Sequence, residues 1–185
     1  MGGSKNLFRL RQVASLRAFS QLRAPVSKDR RAFIFGGTIR IMEKTVTTLA
    51  EFEQEAKRFA STLTPNPKGA TLTTLSGELG AGKTAFTKTV ARTFGVEDIV
   101  TSPTFVLEKI YPLQKQPFKN LIHIDAYRLE KGSDLALLEL DTLMKDSDNL
   151  ILLEWPERVA DALPVATSTI SFIVNPDGSR IISYG

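Results

Sequence analysis

The chain has 185 residues, enough for one domain with a buried core, and its 42% hydrophobic and 24% charged residues are an ordinary globular balance. It has no cysteine, which excludes disulfides, thiolate zinc sites, iron–sulfur clusters and cysteine nucleophiles, and no apolar run approaches the roughly 20 residues that cross a bilayer. The net charge of +4 is unevenly spread: residues 1–41 carry nine Lys/Arg against Asp29, net +8, whereas residues 42–185 carry 15 basic and 19 acidic residues, net −4, so the basic character is not evidence that the folded part binds nucleic acid.

The first 41 residues set Leu7, Leu10, Val13, Ala14 and Arg17 at loosely helical spacing. Arg-rich, Ser-containing and nearly free of acid, they have the composition of a mitochondrial transit peptide. The reading preferred over that one, and over a nucleic-acid-binding arm, is a disordered extension ahead of a true start at Met42. One folded domain then covers 42–185.

In that domain Thr48 caps a helix over 49–63, and Glu51 three residues on completes a capping box. Leu49, Phe52, Ala56, Phe59 and Leu63 form its apolar stripe. TPNPKG (64–69) is a turn, and 70–75 is a β-prone run leading into a glycine loop. A helix follows over 82–94 and stops at Gly95. TSPTF (101–105) is a loop. FVLEKIY (105–111) and NLIHID (120–125) read as strands, and Ser133 caps a helix from 134 to about 145. NLILLE (149–154) is an apolar run of buried-strand length. Pro156 ends it, a short helical turn runs up to Pro164, and TSTISFIV, NPDGS and RIISY close the chain as a hairpin. The pattern predicts an α/β fold of the P-loop NTPase type, a three-layer sandwich with a mixed central sheet flanked by helices and a C-terminal β-hairpin.

The glycine loop lies in LSGELGAGKTAF (75–86) and fits G-x-x-x-x-G-K-[ST]. Gly77 and Gly82 permit the tight turn that lets backbone N–H groups converge on phosphate oxygens. Lys83 stands where an ammonium reaches the β- and γ-phosphates, and Thr84 offers a hydroxyl to Mg²⁺. The helix that begins there adds its positive end. The bland alternative, a helix-entry turn without a ligand, is weakened by the position of the loop between a β-run and a helix. A triphosphate site also needs a carboxylate at the end of a neighbouring apolar strand. Asp125 ends LIHID and Glu154 ends LILLE; spacing does not say which lies nearer the metal. Thr101, Ser102 and Thr104 make a switch-like segment. His123, the sole histidine, has no second His or Cys for a zinc site and reads as a packed or polar-satisfied residue rather than a ligand. No N/T-K-x-D guanine motif is present, and the arginines after Met42 are scattered at 58, 92, 128, 158 and 180 rather than gathered in a lid. ATP is the expected nucleotide.

GELGAGKT, TSPTF, HIDAYRL and LLEWPER, in this order and at these spacings, resemble the TsaE family, small P-loop ATPases of tRNA threonylcarbamoyladenosine synthesis. The resemblance spans nearly all of 42–185. It implies that Glu78, Leu79, Gly80, Ala81, Gly82, Lys83 and Thr84 wrap the ATP phosphates, that Thr84 and Glu154 stand at Mg²⁺, and that Asp125 is needed for hydrolysis. It also implies that Thr101 and Thr104 belong to the switch segment, that Trp155 lies beside the nucleotide, and that Thr48 lines the adenine side. Asp125, Glu154 and Lys83 are thus the expected catalytic set. The implied partner is a TsaD–TsaB-type complex, with tRNA met only indirectly through it and no membrane involved. The expected compartment is the cytoplasm, or the mitochondrion if 1–41 is a transit peptide. Two competing functions share the same loop: a nucleotide-gated binding module with negligible hydrolysis, and a small-molecule kinase.

Overall fold

The computed structural model describes residues 42–97 and 107–185. The basic arm (1–41) and the TSPTF segment with Thr101 and Thr104 lie outside the described residues.

Seven strands form one sheet among the described residues: β1 (Met42–Val46), β2 (Thr71–Gly77), β3 (Glu108–Pro112), β4 (Asn120–Asp125), β5 (Asn149–Glu154), β6 (Ser168–Val174) and β7 (Arg180–Tyr184), in the spatial order β1-β7-β6-β2-β5-β4-β3. The four central strands, β6, β2, β5 and β4, run parallel. The flanking pairs β1–β7, β6–β7 and β3–β4 are antiparallel. All six residues of β5 are buried, as a continuous apolar run demands when both faces of a parallel strand are covered.

Side-chain alternation sends the central strands into two cores. Leu75, Leu150 and Leu152 join Phe52, Phe59 and Phe86 from helices α1 (Leu49–Ala60) and α2 (Lys83–Thr93). Leu72, Ile122, Ile124, Ile151 and Leu153 meet Leu135, Leu140 and Val159 on the other face. That makes three layers and the predicted mixed sheet. The capping box is present: Glu51 N–H donates to Thr48 Oγ1 at 3.2 Å, and Thr48 N–H to Glu51 Oε2 at 3.2 Å. Phe52, Ala56, Phe59 and Leu63 are buried as the stripe requires, whereas Leu49 is 68% exposed.

Two expectations are corrected, and one strand appears that was not expected. The helix expected over 134–145 is a 3-10 helix, Gly132–Leu138, followed by the four-residue α3 (Leu140–Leu143), because Glu139 between them is left-handed with φ 47°. Asp134, not Ser133, ties the start of this segment, accepting from the N–H groups of Glu130 and Lys131 at 3.1 and 3.2 Å. Strand β1 goes unpredicted because MEKTV is short and charged and buries only Val46, a common make-up for an edge strand. Strand β3 is described over Glu108–Pro112, and residues 105 and 106 of the expected strand lie outside the described residues.

Helix α1 packs on the glycine loop itself. A Cβ at Gly82 would lie 2.8 Å from Phe52 Cζ, and one at Gly77, where φ is 142°, would lie 2.7 Å from the Phe172 carbonyl oxygen. The second contact is with backbone and does not yield easily. Gly77→Ala is therefore expected to destabilise the fold by about 2 kcal/mol or more, lowering the thermal midpoint by roughly 6 °C, as a melting curve would read.

Candidate nucleotide site

Strand β2 ends at Gly77, residues 78–82 turn back over the sheet, and α2 begins at Lys83. Gly80 (φ 78°) and Gly82 (φ 114°) supply left-handed backbone in the turn, which glycine adopts without a Cβ penalty. Register places Glu154 beside Leu75 of β2 on one side and beside Asp125 of β4 on the other. The two strand-end acids are thus neighbours at the carboxyl ends of adjacent parallel strands, where ligands bind in such sheets.

A cleft of about 350 Å³ opens there. Leu79, Gly80, Gly82, Lys83, Thr84, Asp125, Glu154 and Trp155, all singled out from sequence, line it together with Leu107, Tyr127 and Arg128. Glu78 and Ala81 belong to the loop but do not line the cleft. The Glu78 carbonyl accepts from Lys83, and Ala81 is buried with its carbonyl accepting from Arg180 Nε at 3.2 Å. Thr48 is also outside the lining, its hydroxyl serving the cap of α1.

Lys83 is buried, and its Nζ donates to the carbonyls of Gly77 and Glu78 at 2.7 and 2.9 Å. The same ammonium sits 3.5 Å from the centre of the Trp155 ring, a cation–π contact. Burial pushes the Lys83 pKa down, and the charges of Glu154, Glu157 and Asp125 partly restore it. Trp155 leaves β5 in a left-handed conformation, φ 62° and ψ 50°, and its ring packs on Tyr127 with centroids 4.9 Å apart. The Arg158 guanidinium lies 5.3 Å from the Tyr127 ring centre. Asp125 Oδ1 accepts from Tyr127 N–H at 3.1 Å and so starts the 3-10 turn Ala126–Arg128.

Glu154 is 1% exposed and fully engaged. Its Oε2 accepts from Thr84 Oγ1 at 2.9 Å, and its Oε1 lies 2.8 Å from His123 Nε2 and 3.3 Å from the Thr87 hydroxyl. Sequence reasoning placed His123 in the core, where it is, but missed this bond, along with Thr87, Tyr127 and Arg180. The available signal was the H-x-D spacing: residues i and i+2 of a strand share a face.

Among the described residues no group of three or more His, Asp or Glu side chains is set to hold a metal. Thr84 and Glu154 offer one hydroxyl and one carboxylate in mutual contact. That sparse set does not cage a free cation. It fits Mg²⁺ carried on phosphates, which takes one or two protein ligands and keeps its other positions for phosphate and water.

The sequence model of the family described as Threonylcarbamoyl adenosine biosynthesis protein TsaE matches residues 47–182. The chain belongs to the TsaE family. Proteins named tRNA threonylcarbamoyladenosine biosynthesis protein TsaE are similar in sequence. That of Streptomyces coelicolor is 45% identical over 93 residues, 50% of this chain and 61% of the relative, so this match spans less than two thirds of that protein. That of Rickettsia bellii is 32% identical over 135 residues, 72% of this chain and 90% of the relative. The crystal structure of Bacillus subtilis YdiB superposes with a TM-score of 0.63 at 28% identity, over 78% of this chain and 84% of that one. Together with the seven-stranded mixed sheet, that likeness makes the TsaE chain an α/β protein of P-loop NTPase-like fold. None of its described helices is long and apolar enough to cross a membrane.

Proposed function

We propose that this protein is a Mg²⁺-dependent ATPase required for N6-threonylcarbamoyladenosine formation at position 37 of tRNA. It acts with a TsaD–TsaB-type complex and meets tRNA only through that complex. The observation that carries the ATPase reading is the convergence of Lys83, Thr84, Asp125 and Glu154 on one cleft under the glycine loop. The pathway rests on family membership.

In this reading the loop amides and Lys83 hold the β- and γ-phosphates, Thr84 and Glu154 present the metal position, and Trp155 walls the site against water. Thr101 and Thr104 act as the switch segment, and Thr48 lies toward the adenine. When bound at Thr84 and Glu154, Mg²⁺ would neutralise negative charge on the phosphates. Asp125 orients the attacking water. Water oxygen bonds to the γ-phosphorus, the bond to the β,γ-bridging oxygen breaks, the proton of the water passes to a phosphate oxygen or to solvent, and ADP and inorganic phosphate leave. Besides Lys83, the internal cations that could meet the developing charge are Arg128, which lines the cleft, and Arg158, which lies against the Tyr127 ring. Turnover by the chain alone is slow and rises on docking, as in NTPases completed by a partner. The folded ATPase domain covers 42–185, residues 1–41 are an extension to it, and the compartment is the cytoplasm.

The test is ATP hydrolysis with Mg²⁺, with chelator, and with a purified TsaD–TsaB pair from the same organism. Chelation is expected to abolish turnover and the pair to raise it severalfold or more. Clear ATP binding with no turnover in any mixture would replace the ATPase by a gated binding module. Transfer of the γ-phosphoryl group to an added metabolite, without other protein, would make it a kinase.

A further inference from the structure

The two oxygens of Glu154 face different surroundings. Oε2 meets the Thr84 hydroxyl, and Thr84 lines the cleft. Oε1 points away, with His123 Nε2 at 2.8 Å and Thr87 Oγ1 at 3.3 Å, and both residues are 0% exposed. His123 stands on β4 in register with Leu152 of β5, two residues before Asp125, so its ring reaches sideways across the sheet to the carboxylate that ends the next strand.

The other ring nitrogen decides the tautomer. Among the described residues His123 Nδ1 is buried with no hydrogen-bond partner. A buried N–H without an acceptor is costly, whereas a bare ring nitrogen is tolerated more easily. The proton therefore sits on Nε2, where Glu154 Oε1 accepts it. The last torsion of a carboxylate is broad unless hydrogen bonds fix it. Here Oε1 is held inside the protein, and Oε2, bonded to the Thr84 hydroxyl, is the oxygen turned toward the cleft.

We propose that His123 is a positioning residue: by donating from Nε2 to Glu154 Oε1 it holds Oε2 beside Thr84, in the orientation that receives the divalent cation carried by the nucleotide. This rests on the ATPase reading above and deepens it. Outer partners of this kind tune metal binding without touching the ion. Thr87 assists from the same side.

The experiment compares the full untagged chain with His123→Leu, which removes the donor, and His123→Gln, whose amide carries a donor near the Nε2 position. Binding of a non-hydrolysable ATP analogue is titrated without metal and then at rising Mg²⁺. For His123→Leu the Mg²⁺ midpoint is expected to rise about 10–100-fold while metal-free affinity stays within about twofold, with His123→Gln recovering most of the difference. An unchanged midpoint would overturn the proposal. So would a parallel loss of metal-free affinity, which marks simple damage to the loop.

Two further measurements cover a leucine variant that fails to fold. Thr87→Val removes the second donor to the same oxygen with little change of shape, and a smaller shift of the midpoint in the same direction is expected. Nitrogen NMR of the unaltered chain reads the tautomer directly, because His123 is the only histidine and its ring needs no assignment. A proton on Nε2 and a bare Nδ1 are expected; the reverse would overturn the proposal. If the unaltered chain binds no nucleotide, the ATPase reading falls, and the ring spectrum still reports separately whether His123 holds Glu154.

Discussion

Replacing Lys83 by alanine is expected to weaken ATP binding about 10–100-fold, the value of one or two hydrogen bonds to a charged group. The ammonium is already desolvated and held against the loop carbonyls of Gly77 and Glu78 and the Trp155 ring. Its position is thus fixed before ligand arrives, and little ordering cost offsets the charge-assisted contact with phosphate. Lys83→Met separates charge from bulk, since it keeps an unbranched stem to pack against Trp155. Calorimetric titration with ATP should show both variants losing affinity alike. Unchanged affinity in either would remove the phosphate-loop reading.

Asp125→Asn should lower the rate of hydrolysis about 10²–10⁴-fold while leaving ATP affinity within a few-fold, if the carboxylate orients water or draws its proton. Asparagine is the informative substitution. Its oxygen still accepts from the Tyr127 N–H, so the 3-10 turn that carries Arg128 into the cleft keeps its start. Alanine would remove that bond as well and blur the result. Single-turnover hydrolysis and equilibrium binding, measured together, separate the outcomes. Equal loss of rate and affinity would make Asp125 a binding group.

Local signals were the legible ones. The glycine loop, the apolar strands β4 and β5 with acids at their ends, the capping box at Thr48 and the terminal hairpin each depend on residues close in sequence, and each is present. The contacts that finish the site depend on lateral neighbours. Nothing in NLIHID or NLILLE says that β4 and β5 are adjacent and in a register that sets Asp125 beside Glu154; without that, His123 is only a histidine on a strand. Arg180 reaches the Ala81 carbonyl across 99 residues of chain, which no short-range pattern encodes. The segment after Ser133 misled for a different reason. Its composition favours a helix, but Gly132 donates to Asp161 Oδ1 at 2.8 Å and packs against Ala162, and Glu139 turns left-handed, so tertiary contacts override propensity.

Among the described strands β1, the first, has no strand neighbour but β7, the last of them, and β6, the second flank of the phosphate-loop strand, also comes late in the chain. A ribosome releasing this protein exposes Lys83 and Thr84 well before the strands that brace them exist. Loop closure over so long a separation is slow and entropically costly. The nascent chain therefore passes through an interval in which β2 has an open edge and the glycine loop lacks the Arg180 and Phe172 contacts that brace it. The glycine loop gains its bracing only when the late strands β6 and β7 join the sheet.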